Sequence, residues 1–166
     1  MIIKANIENL DEVNSIMNEI KEEMRKENNP QWGSTEADYP SKERLKEDIN
    51  NNMMYIYVED SKIKGILSIV EDDGEYEELI ENSHEPAYIL HRLAIPKQYR
   101  NKNIATKLMN FAEEKAKENN VKVLKSDTEV CNTKMNNLFI KKGYKYIGKF
   151  SWDDYPGVYN YYEKEV

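Results

Sequence analysis

The segment from Leu93 to Met109 contains the residues whose types and spacing most directly suggest chemistry. An apolar stretch is followed by a short basic loop, Arg100 to Thr106, and then by an amphipathic helical pattern. N–H groups in the first turn of a helix lack helical partners, and the helix dipole is positive there, so such a loop can bind phosphate. The sequence therefore predicts an anion site suited to a cofactor that carries a pyrophosphate.

The charge around this loop supports the same prediction. Residues 86–112 contain no Asp or Glu, although the whole chain has a formal net charge of -7. The basic residues of this span are Arg92, Lys97, Arg100, Lys102 and Lys107. A local reversal of charge favours a binding role over the alternative interpretation, which is a solvated basic helix start.

Composition limits the classes of protein to which the chain can belong. Its 166 residues fit one domain, predicted to span residues 1–166. A pI near 5.1 argues against nucleic-acid binding. The single cysteine, Cys131, excludes an internal disulfide framework and suits a reducing cytoplasm, and we interpret it as a packing residue. Neither a membrane-spanning apolar run nor a signal peptide is visible, so a cytoplasmic location is expected.

Hydrophobic periodicity predicts strands interleaved with helices, which indicates an α/β or α+β layer fold. The predicted strands are 1–5, 53–58, 63–70, 88–95, 121–124, 144–150 and 159–163. The predicted helices are 8–26, 41–50, 104–119 and 132–142. A loop is expected over residues 32–40, and residues 71–85 form an acidic insert with a helical turn at 76–80.

Two segments resemble motifs of the GNAT N-acetyltransferases. Arg100-Asn-Lys-Asn-Ile-Ala105 resembles the Arg/Gln-x-x-Gly-x-Gly/Ala loop of that family, and Leu93-Ala-Ile-Pro96 resembles the end of its fourth strand. Downstream, Asn132 to Tyr144 resembles the segment Asn-x-x-Ala-x-x-Leu-Tyr-x-Lys-x-Gly-Phe. Both motifs occur in the family's order, which makes the resemblance fairly specific. It implies a mixed, mostly antiparallel sheet of six to seven strands with helices on both faces.

The resemblance also implies that acetyl-CoA is the cofactor. Its pyrophosphate would lie on the N–H groups of residues 100–106, and its pantetheine arm would lie between the fourth and fifth strands, where they part near residues 93–95 and 121–125. A strand N–H near residues 93–95 would stabilise the oxyanion. The implied cofactor-binding residues are Leu93, Ala94, Ile95, Arg100, Asn101, Lys102, Asn103, Ile104, Ala105, Thr106, Asn132 and Phe139.

Four positions depart from the family pattern, and one of them, Met135, replaces a small residue and should alter only the packing. Asn101 and Asn103 stand where Gly is usual, and because Asn is the next most tolerant residue for positive φ, we expect the loop to keep its shape. Phe139 replaces a Tyr that in many members protonates the departing thiolate. A thiol with a pKa near 8.5 is a tolerable leaving group without a dedicated acid. The alternative donors are Tyr88, Tyr155 and Tyr161.

A general base is needed because only the neutral form of an amine attacks. His91 lies on the strand that enters the site, and Glu129 just precedes Asn132, so both are candidates, acting directly or through water. The alternative for His91 is a hydrogen-bonded core residue. Its spacing from His84 matches no zinc site, so no metal is expected, even with Glu81 or Glu85 as further ligands.

The acceptor is not readable from the sequence. Trp32, Tyr39 and Tyr88 are candidates for its pocket, although Trp32 and Tyr39 suit a core equally well, and the acidic insert could attract cationic amines or be a solvated loop. We expect an N-acetyltransferase that acts on a primary amine of a small molecule or peptide. The alternative is an acyl-CoA-binding module with little catalysis. The last strands of such folds often pair subunits, which leaves a homodimer open.

Overall fold

The computed structural model describes residues 1–72, 74, 76 and 86–166, and within them seven strands form one sheet in the order β1-β2-β3-β4-β5-β7-β6. The strands are β1 Ile2–Lys4, β2 Met54–Glu59, β3 Lys62–Glu71, β4 Ala87–Ala94, β5 Val123–Glu129, β6 Lys145–Trp152 and β7 Tyr155–Glu165. The helices are α1 Leu10–Lys26, α2 Pro30–Gly33, α3 Lys42–Asn50, α4 Ile104–Glu118 and α5 Thr133–Lys141. Neighbouring strands are antiparallel except for β4 and β5, which are parallel.

Helices cover both faces of the sheet because alternate strand residues point in opposite directions. On β2, Tyr55 and Tyr57 pack in the cluster that contains the buried face of α4, whereas Met54 and Ile56 pack in the cluster that contains α1 and α3. The predicted fold class, a mixed and mostly antiparallel sheet between helices, is confirmed. Among the described residues, no helix has both the length and the apolar character to cross a membrane.

Three local predictions need correction. The helix predicted over 8–26 begins with a 3₁₀ turn, Ile7–Asn9, before α1. The loop predicted over 32–40 overlaps α2, which forms because the Asn29 side chain accepts from the N–H of Gln31 and Pro30 suits the first helical position. The strand predicted over 121–124 begins later and runs longer, because the Val121 N–H bonds to the Ala116 carbonyl, 2.8 Å away, at the end of α4.

The last two strands are longer than the ranges predicted for them. They pair with each other as far as Trp152 and Tyr155, and β7 also pairs with β5 along residues 159–165, so both extend beyond what their own hydrophobic pattern shows. Of the acidic insert, Glu71 ends β3, and Asp72, Gly74 and Tyr76 are described. The helical turn at 76–80 falls, apart from Tyr76, outside the described residues.

The pairing between β4 and β5 determines where a site can form. Only the pairs Ala87 with Val123, Tyr88 with Leu124 and Ile89 with Lys125 join the two strands. Beyond them the strands part, so the gap lies between residues 90–94 of β4 and residues 126–129 of β5. The expected position of the gap on the fifth strand, residues 121–125, is therefore wrong, because that stretch contains the paired part.

A glycine in β3 allows α4 to lie close to the sheet. A Cβ atom on Gly65 would lie 2.8 Å from Ile104 Cγ2, 2.9 Å from Ile95 Cδ1 and 3.0 Å from Leu108 Cδ1. Ile104 is the first residue of α4, so this contact fixes the position at which the helix begins.

We predict that Gly65→Ala lowers the free energy of unfolding by about 1–3 kcal/mol, because three packed methyl groups must move together. Gly148→Ala is the matched control, since no atom outside its immediate neighbours lies within 4 Å of the added Cβ, and its stability should not fall. Urea denaturation of both variants measures the difference. Equal stability of the two variants would show that α4 does not depend on this close approach.

Candidate active site

Two adjoining cavities lie beside the gap in the sheet. The first, which we call the loop groove, has a volume of about 360 Å³ and is lined by α1, the loop before α4 and the start of α5. The second, which we call the sheet cavity, has a volume of about 380 Å³ and is lined by parts of β4, β5, β7 and residues 31–39. Their shared lining residues are Met24, Trp32, Leu93, Asn132 and Met135. A long ligand in the groove can therefore reach the cavity.

The loop before α4 presents a series of N–H groups to the groove. Asn101 has φ 60° and Asn103 has φ 59°, so both residues adopt the left-handed conformation that Gly would favour. The first helical bond of α4 joins the N–H of Lys107 to the carbonyl of Asn103, at 3.0 Å. In the described part of the chain, the N–H groups from Asn101 to Thr106 have no acceptor. They form a cradle for an anion, reinforced by the helix dipole.

The Arg100 side chain ties this loop to α1 instead of pointing freely toward an anion. Its two Nη atoms donate to both oxygens of Glu23, at 2.5 and 2.6 Å, and its Nε donates to the Ile95 carbonyl at 3.0 Å. These hydrogen bonds, with the charge of Arg100, hold the pKa of Glu23 below its ordinary value despite partial burial. The ion pair is therefore complete at neutral pH and is lost only as the pH falls through that lowered pKa.

A bulge in β4 shapes the edge of the gap. The register with β3 shifts between the pairs Ser68–His91 and Ile66–Ala94, and Arg92 within it has φ 54°. Across the gap, Ser126 Oγ donates to the Leu90 carbonyl at 2.7 Å. Beyond this bond, β4 does not pair with β5. The main-chain groups of β4 that face β5 are therefore available to a ligand that lies in the gap.

Ten of the twelve residues predicted to bind the cofactor line the loop groove, namely Leu93, Ala94, Ile95, Arg100, Asn101, Asn103, Ile104, Ala105, Thr106 and Asn132. Lys102 is exposed on the loop and lines neither cavity. Phe139 lines the sheet cavity, where its ring stacks on that of Tyr162 with 4.9 Å between centroids. The structure thus places the loop residues together and Phe139 apart from them.

Gln31 is a site residue that sequence reasoning missed. Its Oε1 accepts from Thr128 Oγ1 at 2.9 Å, from the Glu129 N–H at 3.2 Å and from Asn132 Nδ2 at 3.3 Å. Its carbonyl accepts from the Tyr155 hydroxyl at 2.7 Å. Gln31 therefore joins α2 to β5, β7 and the cap of α5. No sequence signal marked it, because it lies between the predicted helix 8–26 and the predicted loop 32–40, and all its partners are distant along the chain.

The two candidate bases lie in different surroundings. His91 is half-buried and lines the sheet cavity. Glu129 is buried and lines neither cavity; its carboxylate accepts from the N–H groups of Cys131, at 2.5 Å, and Val158, at 3.4 Å. The geometry brings His91, but not Glu129, to the space that an acceptor would fill.

The candidate proton donors separate in the same way. Tyr155 lines the sheet cavity, but Tyr88 and Tyr161 line neither cavity. Burial raises the pKa of Tyr155 to about 12. Proton transfer from such a phenol to a thiolate whose conjugate acid has a pKa near 8.5 is unfavourable. Of the three tyrosines named as alternative donors, the one that lines this cavity, Tyr155, is therefore poorly matched to the task.

The predicted acceptor residues are placed as follows. Trp32 is buried and lines both cavities, Tyr39 is exposed and lines the sheet cavity, and Tyr88 packs against the core beside α4. Trp152, Asp154 and Tyr159 also line the sheet cavity and belong to residues 152–162, where the family resemblance implies an acceptor pocket, whereas Arg92 and Asp127 were not proposed from the sequence.

Two further predictions concern cysteine and metal chemistry. Cys131 is exposed, so its interpretation as a packing residue is wrong, and local desolvation together with Glu129 raises the pKa of its thiol to about 11. Among the described residues no three metal-ligating side chains come together. His84, Glu81 and Glu85 lie outside the described residues.

Comparison with known proteins assigns the family. A sequence model of the acetyltransferase (GNAT) family matches residues 17–144. The chain belongs to the GNAT acetyltransferase family. The resemblance inferred from the two motifs is thus confirmed, and the protein is an acyltransferase. No curated protein sequence gives a significant match.

Solved structures with the same fold include a GNAT acetyltransferase from Streptococcus agalactiae 2603, 23% identical with TM-score 0.85, which covers 100% of this chain and 95% of its own. The ribosomal-protein-alanine N-acetyltransferase of Brucella melitensis is 17% identical, with TM-score 0.74 and coverage of 100% and 99%. The PaiA N-acetyltransferase of Thermoplasma acidophilum, solved with coenzyme A, is 20% identical, with TM-score 0.73 and coverage of 100% and 98%.

We predict that Arg100→Glu weakens coenzyme A binding far more than Lys102→Glu, by about tenfold or more (~1.4 kcal/mol). Both variants bring the same negative charge to the loop, but only Arg100→Glu also breaks the tie to Glu23 and sets two carboxylates against each other. Isothermal titration calorimetry with coenzyme A measures both affinities. Equal losses would mean that the tie contributes nothing beyond charge.

Proposed function

We propose that this GNAT protein transfers the acetyl group of acetyl-CoA directly to a primary amine of a small molecule or peptide. The observation that carries the proposal is the series of unpartnered N–H groups from Asn101 to Thr106, which opens into the gap between β4 and β5. A coenzyme with a diphosphate and a long flexible arm fits both features at once.

The described residues fit coenzyme A along its length. The loop N–H groups suit the pyrophosphate, and Lys141 of α5 adds positive charge to the same groove, where Lys134 pairs with Glu27. Asn132 and the free main-chain groups of β4 suit the amides of the pantetheine arm, because an extended chain can add to an exposed strand. Coenzyme A is present in the structure of the Thermoplasma acidophilum relative, which supports the assignment by analogy.

When bound, acetyl-CoA supplies an acetyl group activated as a thioester. We assign to His91 the role of taking a proton from the acceptor ammonium, directly or through water, so that a neutral amine attacks. A main-chain N–H in residues 93–95 stabilises negative charge on the acetyl oxygen. The carbon–nitrogen bond forms, the carbon–sulfur bond breaks, and the amine's second proton passes to the thiolate. Because Phe139 cannot donate a proton, that final transfer proceeds without a dedicated acid from α5.

The proposal is tested by incubating the protein with acetyl-CoA and a panel of amines. Calorimetry should show that acetyl-CoA binds, and a thiol reagent should show coenzyme A release that depends on the amine. The acetylated amine, detected by mass spectrometry, should match the released thiol in amount. Tight cofactor binding without release for any amine would contradict the enzymatic proposal and favour the binding module. Gel filtration with light scattering on the same sample tells whether the protein is a monomer or a homodimer.

We predict that His91→Ala lowers kcat by about 10²-fold at neutral pH and flattens the acid limb of the pH–rate profile. The direction follows because a base must be deprotonated to act, so the parent enzyme should lose activity as the pH falls. Glu129→Gln is the matched control and should keep the acid limb, since that carboxylate is engaged by main-chain N–H groups. A His91→Ala profile that superimposes on the parent's would remove His91 from the mechanism.

A further inference from the structure

Arg92 lines the sheet cavity and has no role in the proposed cofactor site. It lies in the β4 bulge, directly between His91 and Leu93, and is only 3% exposed. It lines the sheet cavity but not the loop groove. Because an arginine side chain remains charged in proteins, a full positive charge is buried beside the place where acetyl transfer would occur.

The guanidinium of Arg92 makes no hydrogen bond to any residue that the structure describes. Arg92 Nε lies 3.1 Å from Asp48 Oδ2, an ion-pair distance without the alignment of a hydrogen bond. In the described part of the chain, neither Nη atom has an acceptor. Buried charged donors without partners are costly, so this arrangement favours an acceptor oxygen supplied from outside the chain.

Asp48 is not engaged by Arg92 alone. Its Oδ2 also accepts from Ser68 Oγ at 2.6 Å, and its Oδ1 lies 3.6 Å from Arg44 Nε. Arg44 also pairs with Glu47, so two carboxylates face two guanidinium groups at this corner and the charges balance. What Arg92 offers a ligand is therefore its two Nη atoms, which have no acceptor among the described residues.

The ring of Tyr39 holds the guanidinium in place at the cavity. Arg92 Cζ lies 5.8 Å from the centroid of the Tyr39 ring, and that ring packs edge-on against Tyr155 at 5.5 Å. Tyr39 is 36% exposed, so its ring lies at the surface and not in the core. The Nη atoms are left for a bound anion while Asp48 keeps its contact with Nε.

We propose that the acceptor is a small amine that also carries a carboxylate, and that Arg92 binds this carboxylate through its two Nη atoms. Arg92 and His91 both line the sheet cavity, and its volume of about 380 Å³ suits a small molecule that carries both a carboxylate and an amine, such as an amino acid. Asp127 and Asp154 also line the cavity and favour the ammonium end of such a molecule. This inference rests on the proposed function, because it identifies the acceptor of the same site.

The test compares amino acids with the corresponding amino amides, which keep the amine and lose the negative charge. For the parent enzyme we expect kcat/KM to be at least tenfold higher for the carboxylates. In Arg92→Met this preference should disappear through a rise in KM, while the affinity for coenzyme A stays unchanged. Arg92→Lys, which keeps the charge but not the fork, should restore part of the preference.

A second variant keeps the proposal falsifiable if Arg92→Met fails to fold. Asp48→Asn removes the negative charge that competes for Arg92, so it should lower KM for the carboxylate substrates and leave KM for the amides unchanged. If Arg92 and Asp48 had only a structural role, Asp48→Asn would not change KM for the carboxylates relative to KM for the amides. An unchanged KM for the carboxylates in Asp48→Asn would overturn the proposal.

The outcomes separate this inference from the proposed function. Equal acetylation of amides and carboxylates by the parent would overturn the carboxylate proposal and leave acetyl transfer intact. Failure to acetylate any amine, with acetyl-CoA bound, would overturn the proposed function. In that case calorimetry of amino acids with the coenzyme A complex decides the carboxylate site: binding that Arg92→Met abolishes supports it, and absence of binding to the parent overturns it.

Discussion

The early end of parallel pairing between β4 and β5 is the constraint on which the site depends. After Ile89 and Lys125 the two strands separate, and β5 continues in pairing with β7 alone. A sheet that stayed closed would bury the main-chain groups of residues 90–94 in a ladder. Because it opens, these groups, the bulge at Arg92 and the start of α4 face one continuous space, with the loop groove at one end and the sheet cavity at the other.

The charges around that space are arranged so that an anion can approach an acidic protein. Glu23 and Glu27 of the α1 region line the groove, and each would repel a phosphate if its charge were free. Arg100 engages Glu23 with two hydrogen bonds, and Lys134 lies 3.9 Å from Glu27. What remains for the proposed ligand is the set of loop N–H groups, which have no acceptor among the residues that the structure describes. The polarity of the backbone, more than any one side chain, therefore defines the proposed anion site.

The conformation of the loop before α4 was predictable from the sequence because its determinants are local. The acid-free span, the following helical pattern and the tolerance of Asn101 and Asn103 for positive φ all lie within residues 86–118, and the positive φ of both residues is confirmed. The predicted position of the gap on β5 was wrong. Strand β5 begins later than predicted, because the Val121 N–H bonds to the end of α4. Glu23, the partner of Arg100, lies 77 residues from it in the sequence. Gln31 and Thr128, which share a hydrogen bond, lie 97 residues apart. Such contacts depend on the tertiary fold and leave no local pattern.

The most direct measurement of the central claim is an amide NMR titration of the protein with coenzyme A. If main-chain N–H groups before α4 bind the diphosphate, the resonances of Asn101 to Thr106 should move downfield, as expected when an N–H donates to a phosphate oxygen. Resonances of β1 and β2 should stay in place, because these strands lie at the far edge of the sheet. Saturating shifts elsewhere, with the resonances of residues 101–106 unmoved, would contradict the account.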